Sequence, residues 1–502
     1  MPVRYNFSNK WAEYSSLLRK YTLDDLLKHI SWLSYKVFFR GKDEGTFGVV
    51  MQECTLVNSR TGRKERNPVI VTGWGLIDLA YHAILATNDF RGKIVEDDNE
   101  LLALCLADNS YLQEEEKSLI AEIGRKPDIF FYFEGFTGEQ MKIEHLNRVF
   151  DNAARELYML FEIAPKLNLV DIGEIVKKET GVTWSVLCAS LYLAWFGFSR
   201  EATLENMKNV VAWDEGFTLE GFECVLARYT TTYADVKDNA LKRQTLYTRP
   251  YIRTKRGELI SINCFLNLFI YEHCVLWAVR DYFLKQKDQQ FTAIFGEIFE
   301  EYFSELLGTY LPQGSFQRIA EVAGTKRADW RFEICGYTFL LEQKSTILQL
   351  AAKQQQSDYE AIENFAERNI IKAIRQLAIT EKEEVGKQCI KVILLYEDYL
   401  GSDIIDHVFA LDECDVNNDA HYWIATIETM ERFLSLAHRD PEKCEEIIRK
   451  KIQLDQEQSI SGRSLYFLLN GEAKNEYLDQ EKLKYYREYA QMFCRKRLPK
   501  HE

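Results

Sequence analysis

The sequence is short of proline and has no closely paired cysteines. Eight prolines and 25 glycines in 502 residues leave few obligatory turns, which predicts long helices. The 11 cysteines are odd in number and scattered from Cys54 to Cys494, with no C-x-x-C among them. That excludes a zinc ribbon or a thioredoxin-like pair and fits buried thiols in a reducing, cytoplasmic setting. No G-x-S-x-G elbow and no G-x-x-x-x-G-K-[ST] loop occurs, so neither a serine hydrolase nor ATP hydrolysis has a signature. The histidines never fall at H-x-x-x-H spacing, and His82, His273 and His421 read as packed side chains in apolar surroundings. The opening residues, MPVRYNFSNKW, lack the apolar run of a signal peptide. There is no low-complexity tract, and no repeat of about 20–50 residues that would indicate a solenoid.

Positive charge is also in deficit. Against 63 Lys and Arg stand 77 Asp and Glu, a net charge of −14. A protein that coats nucleic acid non-specifically is normally basic, so any nucleic-acid role must come from a local site.

What is present is ordinary globular material. Hydrophobic residues make up 46% and charged residues 28%, and the length allows about two to four domains. No charge occurs from Thr180 to Ser199, long enough to cross a bilayer. Thr183, Ser185, Ser190, Tyr192 and Gly197 weaken that reading, and the run is expected to be a buried core helix without stable membrane association.

Residues 1–245 read as a mostly helical recognition or regulatory region, with Asn58 to Asn67 as an exposed basic loop. Residues 246–286 follow as a connecting region. It holds a β-hairpin (Tyr251 to Ile262, turning at Gly257) and an apolar helix from Phe265 to Phe283. Residues 287–435 alternate helix and strand and predict an α/β core with a mixed central sheet. Its strands are expected at Arg327–Ile334, Tyr337–Lys344, Cys389–Tyr396 and His421–Ile427, with helices at Phe291–Tyr310 and about 358–380. Residues 436–502 form a charged helical tail.

The chemistry concentrates in Asp329 and Glu342-Gln343-Lys344. If Cys335-Gly336 is a two-residue turn, Ile334 pairs with Tyr337. Counting back along both strands then puts Asp329 opposite Glu342. Cross-strand partners share a face about 5 Å apart at Cβ, and Lys344, two residues on, shares it too. Two carboxylates side by side repel unless something neutralises them, and a hard divalent cation does so through oxygen ligands. A neighbouring lysine can orient or deprotonate an attacking water, or stabilise charge on phosphate. On the preceding helix Glu297, Glu301 and Glu305 form a solvent face. Glu300 lies in a different stripe with Ala293, Gly296 and Ser304, expected to pack near the sheet with Glu300 towards the site. Gln376, bracketed by Ile374 and Leu377, is expected to face the sheet as well.

In this order Gly296-x-x-Phe299-Glu300, Asp329, Glu342-x-Lys344 and Gln376 resemble the PD-(D/E)XK nuclease superfamily. The resemblance covers roughly residues 290–430, with Ala328 where the family name has proline. It implies a restriction-endonuclease-like core in which Asp329, Glu342 and the backbone carbonyl of Gln343 bind Mg²⁺, with Mn²⁺ as a substitute. Lys344 would act on the nucleophilic water, Glu300 as an auxiliary acid and Gln376 as support. A helical region followed by such a core is similar to restriction-type nucleases of prokaryotic antiviral defence. The expectation is a metal-dependent endonuclease, acting on DNA before RNA.

A basic cluster upstream of the core would hold the nucleic-acid backbone: Lys242, Arg243, Arg249, Arg253, Lys255 and Arg256, interleaved with Tyr247 and Tyr251. Arg60, Arg63, Lys64 and Arg66 form a second basic patch, and Arg495, Lys496, Arg497 and Lys500 a third. A protein partner or homo-oligomer could supply further positive surface. The competing reading is a non-catalytic interaction protein that keeps the fold, with Asp329, Arg331, Glu342 and Lys344 as a salt-bridge ladder.

Overall fold

A computed structural model describes residues 3–4, 10–44, 49–57, 61–86, 91–123, 146–210, 213, 215–238, 244–287, 290–320, 324, 326–347, 364–396, 404–409, 414–419, 421–457, 464–469, 476–479, 481, 484–485 and 487–488. The chain is mixed α/β, with a largely helical N-terminal region and mixed sheets. Two small sheets lie in the N-terminal half. One joins β1 (Val3–Arg4), β2 (Val49–Val57) and β3 (Lys64–Thr72). The other joins β4 (Thr230–Thr231), β5 (Tyr251–Arg253) and β6 (Leu259–Ser261). The main sheet holds β7 (Phe316–Arg318), β8 (Trp330–Ile334), β9 (Tyr337–Lys344), β10 (Cys389–Leu395) and β11 (Tyr422–Thr426). Its order is β11-β10-β9-β8-β7. The β7–β8–β9 half is antiparallel and the β9–β10–β11 half parallel.

Period-two alternation sorts the main sheet's side chains onto two covered faces. Phe339, Leu341, Val392, Leu394, Trp423 and Ala425 join a core with the helices Gln290–Tyr310 and Ile427–Arg439. Leu340, Ile393, Leu395, Tyr422 and Ile424 join a second core with Phe365, Ile370, Ile374 and Leu377 from the helical segment that ends at Glu381. β10 is buried along its whole length, as a central parallel strand with both faces covered must be. Its one cation, Lys391, is reached by the carboxylates of Glu381 and Asp419. The first core also runs continuously from Tyr14 to Tyr485. The helices Cys264–Lys285 and Gln290–Tyr310, consecutive in the chain, pack on each other.

Register follows from the turn. Cys335 and Gly336 both have positive φ, 49° and 80°, as a two-residue type I′ turn requires. Ile334 therefore pairs with Tyr337 and Trp330 with Leu341. The β5–β6 hairpin likewise turns at Gly257, φ 84°, with Ile252 opposite Ile260.

The structure departs from the sequence reading in four places. Val49–Val57 and Lys64–Thr72 form a long antiparallel hairpin inside the region read as mostly helical. Val50, Cys54 and Leu56 on one strand and Val69 and Val71 on the other are buried, a period of two rather than 3.6. The supposed basic loop is thus partly strand: Lys64 pairs with Val57 and Arg66 with Thr55. Arg60 and the C-terminal basic cluster lie outside the described residues. Strand β7, three residues long, lies between the first core helix and Arg327, where no strand was expected. β8 begins at Trp330, not Arg327, because residues 327–328 leave the sheet to bond to the Lys372–Glu381 helix. Thr380 Oγ1 accepts from Ala328 N at 2.8 Å and Gln376 Nε2 donates to Arg327 O at 3.0 Å.

The uncharged run breaks after Thr180, where Gly181 caps one helix with φ 78° and Thr183 caps the next, Trp184–Ser199. Most of that second helix is buried in the core. Among the described residues no single helix is long and apolar enough to cross a membrane; Ile172–Thr180 with Trp184–Ser199 would qualify only as a pair bent by 55°.

Candidate active site

Asp329 is fixed before its side chain makes any contact. Its N–H donates to Leu341 O at 3.0 Å and its carbonyl accepts from Ile319 N at 2.8 Å, so the residue is strapped between β9 and the end of β7. Its Oδ2 accepts the Gln343 N–H at 2.7 Å. In an extended strand the N–H and C=O of one residue point to the same edge. The Gln343 carbonyl therefore opens to the side on which Asp329 stands.

Glu342 and Lys344 project from the face of β9 that carries Leu340, towards the Lys372–Glu381 helix. Lys344 Nζ donates to Glu342 Oε1 at 2.6 Å and to Gln376 Oε1 at 3.3 Å. Gln376 is held in turn by its bond to Arg327 O, so one glutamine ties the lysine to the backbone just ahead of Asp329. Glu342 is only 3% exposed, and its Oε2 is buried without a hydrogen-bond partner. Burial, and secondarily the Asp329 charge, push the Glu342 carboxyl up to about 8. Asp329 is raised too, by burial above all, against the pull of the Gln343 N–H, Lys344 and Arg318. At neutral pH the Glu342 carboxyl keeps its proton, because a buried charge beside that of Asp329 is too costly.

Glu300 stands apart from this cluster. Its helix covers the other face of the sheet, through Phe295, Ile298, Phe299, Tyr302 and Phe303. The Ala293–Gly296–Glu300–Ser304 stripe is left at the flank, with Ala293 exposed. Glu300 forms an ion pair with Arg318 of β7. Burial raises the Glu300 carboxyl, Arg318 opposes this, and the Asp329 charge adds to the rise. On this same face the Gln343 side chain accepts from Trp330 Nε1 at 2.6 Å and donates to Phe299 O at 3.2 Å, locking helix to strand. A Cβ at Gly296 would lie 3.4 Å from Ser345 Oγ, so the helix runs close to the chain leaving β9.

Asp329, Glu342, Lys344, Gln376 and Gln343 are thus brought together, and Glu300 reaches them only through Asp329. The donor set fits a hard divalent cation: two carboxylates, one with an unpartnered buried oxygen, and a backbone carbonyl on the same side. No group of three or more His, Cys, Asp or Glu side chains among the described residues is placed to hold a metal, so the fit rests on two carboxylates.

The basic cluster divides. Lys242 and Arg243 lie outside the described residues. Arg253, Lys255 and Arg256 surround the exposed turn of the β5–β6 hairpin, where Arg253 Nη1 donates to Gly257 O at 3.3 Å and Glu258 pairs with Lys28 at 2.6 Å. Arg249 instead lines a cavity with Arg228, Arg280, Lys285 and Ile347. Sequence reasoning missed Arg318, which sits on the short β7, and Trp330, the residue next to Asp329. It also missed Arg280 and Lys285, which look like ordinary helix charges until the fold gathers them.

No family model, no curated protein and no solved structure matches this chain.

Proposed function

We propose that the protein is a Mg²⁺-dependent nuclease of the PD-(D/E)XK kind that hydrolyses phosphodiester bonds, in DNA ahead of RNA. One observation carries this reading. A buried Glu342 with an unpartnered oxygen is pressed against Asp329, with Lys344 anchored beside both. A structural core has little use for such a pair, whereas a cation would remove its repulsion. The strand order and directions, three antiparallel strands joined to two parallel ones, support the same reading.

Asp329, Glu342 and the Gln343 carbonyl are the groups that would hold the ion. When bound it supplies a Lewis acid that polarises the phosphate and stabilises the leaving oxygen. Lys344, kept in place by Gln376, donates hydrogen bonds to the attacking water or to a non-bridging phosphate oxygen. The Gln343 N–H orients Asp329, and the Trp330–Gln343–Phe299 bonds keep the carbonyl-bearing residue from rotating.

A second reading, a non-catalytic binding protein with this fold, has one observation in its favour. Lys344 already pairs with Glu342, and Arg318 with Glu300, so part of the charge is balanced within the chain. Incubation with linear, circular and single-stranded DNA and with RNA, in Mg²⁺, Mn²⁺ or EDTA, decides between them. The nuclease cuts only with metal, and Asp329→Ala and Lys344→Ala each lower the rate by about a hundredfold or more. Cutting that survives in both variants refutes the site, and no cutting of any substrate favours the second reading.

A further inference from the structure

The chain leaving β9 after Lys344 runs into the wall of a cavity of about 350 Å³. Ligand pockets begin at roughly 300 Å³. Ile347 contributes from this segment, and three residues span at most about 11 Å, so the cavity lies close to the candidate active site. The opposite wall is the Cys264–Lys285 helix.

Two kinds of side chain meet there. Trp277 and Phe269 present an aromatic corner, their rings edge to face with centroids 4.9 Å apart. Around it stand Arg228, Arg249, Arg280 and Lys285, with Asp281 as the one lining acid among the described residues. Arg228 is spent on Glu179 and Asp281, at 2.9 Å each, and Lys285 on Glu179 at 2.6 Å. Arg249 and Arg280 form no ion pair with a described residue; the Asp281 field reaches Arg280, but Arg228 already holds that carboxylate. A concentration of unspent guanidinium in a chain of net charge −14 is a local reversal of sign. Planar rings beside forked donors match a ligand that has both a planar ring system and an oxyanion.

We propose that this cavity binds a nucleotide unit, with its base against Trp277 and its phosphate between Arg249 and Arg280. The unit is either part of a strand entering the active site or a free nucleotide. The recognition chemistry is the same, but only the strand alternative rests on the nuclease reading.

The test is equilibrium binding by the full chain in EDTA, where metal-dependent cutting cannot intervene. The probe is a fluorescent single-stranded DNA of about twelve nucleotides, with adenosine 5′-monophosphate and inorganic phosphate as competitors. Arg249→Ala and Arg280→Ala are each expected to weaken binding by roughly tenfold, the usual scale for one charged hydrogen bond. Trp277→Leu should do the same through lost stacking. If that variant fails to fold, the two arginine variants still decide. Competition by the mononucleotide identifies a free-nucleotide site. Failure to compete, with oligonucleotide binding still lost in the variants, identifies a strand site. The proposal is overturned if the arginine variants bind like the parent, if the oligonucleotide does not bind, or if phosphate competes and does so as strongly as the mononucleotide. Cleavage is scored separately with Mg²⁺. Binding without cutting refutes the nuclease reading alone, and cutting by a parent whose variants bind unchanged refutes this proposal alone.

Discussion

Glutamine at position 342 isolates the electrostatic strain of the carboxyl pair. Burial and the Asp329 charge push Glu342 up to about 8, from an ordinary value of 4.5. The folded chain therefore keeps a proton that the unfolded chain releases over the same range. For a group raised in this way, the favourable contribution is complete below the unfolded value and drains away as pH rises through the folded one. Each pKa unit is worth about 1.36 kcal/mol. Between about pH 5.5 and pH 8.5 the parent thus loses roughly 3 kcal/mol relative to a neutral side chain of the same shape. Glu342→Gln has no proton to lose and escapes this term, while titrating groups remote from position 342 cancel in the comparison. With an unfolding entropy of about 2.1 cal/mol/K per residue, roughly 3 kcal/mol in a chain this long is about 3 °C.

The assay is a pair of thermal melts in EDTA across that pH range. The melting temperature of the variant minus that of the parent is expected to grow by about 3 °C from the acid end to the alkaline end. Millimolar Mg²⁺ should close the gap at alkaline pH by stabilising the parent, because an ion that binds only the folded form adds its binding energy to stability. The same ion should leave Glu342→Gln nearly unmoved. A difference that stays flat with pH refutes the account of the carboxyl pair. A difference that grows with pH but ignores Mg²⁺ and Mn²⁺ leaves the pair strained and removes the metal from the reading.

Three further perturbations probe the scaffold and the lysine anchor. Gln376→Leu removes the bonds to Lys344 and to Arg327 O, and should slow single-turnover cleavage on the order of tenfold with little change in KM; an unchanged rate would show that Lys344 holds its position alone. Arg155→Ala strips Glu431 of a two-pronged partner at 2.5 and 2.6 Å, in a site where Glu431 is fully buried. It should cost about 3–5 kcal/mol in urea unfolding, most of it recovered by combining Arg155→Met with Glu431→Leu. Gly73→Ala drives a Cβ into the ring of Phe265, whereas Gly197→Ala meets only the flexible end of Met207. The first should cost about 2 kcal/mol and the second well under half of that by thermal melting; equal costs would mean that the Phe265 ring moves aside.

The carboxyl pair was legible in the sequence because everything that positions it is local. A two-residue turn sets the register, period two sets the face, and the apolar run Phe339-Leu-Leu341 marks the strand that carries Glu342. Gln376 was legible for a similar reason, since helical spacing from Ile374 and Leu377 fixes its direction. Features set by distant segments were not. The partner of Glu300 is Arg318, and β7 is too short to leave a periodic trace. The cavity gathers Arg249, Arg280 and Ile347 from three separate stretches, none of which signals the others. The β2–β3 hairpin failed for a different reason. Charges around Arg63 and Lys64 drew the reading to a loop, although the alternation on either side already had the period of a strand.

The placement of Arg318 bears on how the site would handle a polyanion. Glu300, Asp329 and Glu342 put three acids where a phosphate would have to approach, in a chain that is already acidic. Lys344 and Arg318 are the cations whose charge acts on Asp329, and each is engaged by a carboxylate. On the proposed reading, neither can turn to phosphate without leaving an acid unbalanced, and the cost is greatest for the buried Glu342. A divalent ion held by Asp329 and Glu342 would ease the conflict by adding positive charge at those acids, which would free Lys344 for the substrate. Substrate binding and metal binding should then be mutually dependent at this site. Arg249 and Arg280 of the cavity, unspent and about a segment's length away, would give a nucleic-acid strand its first hold before the acids are neutralised.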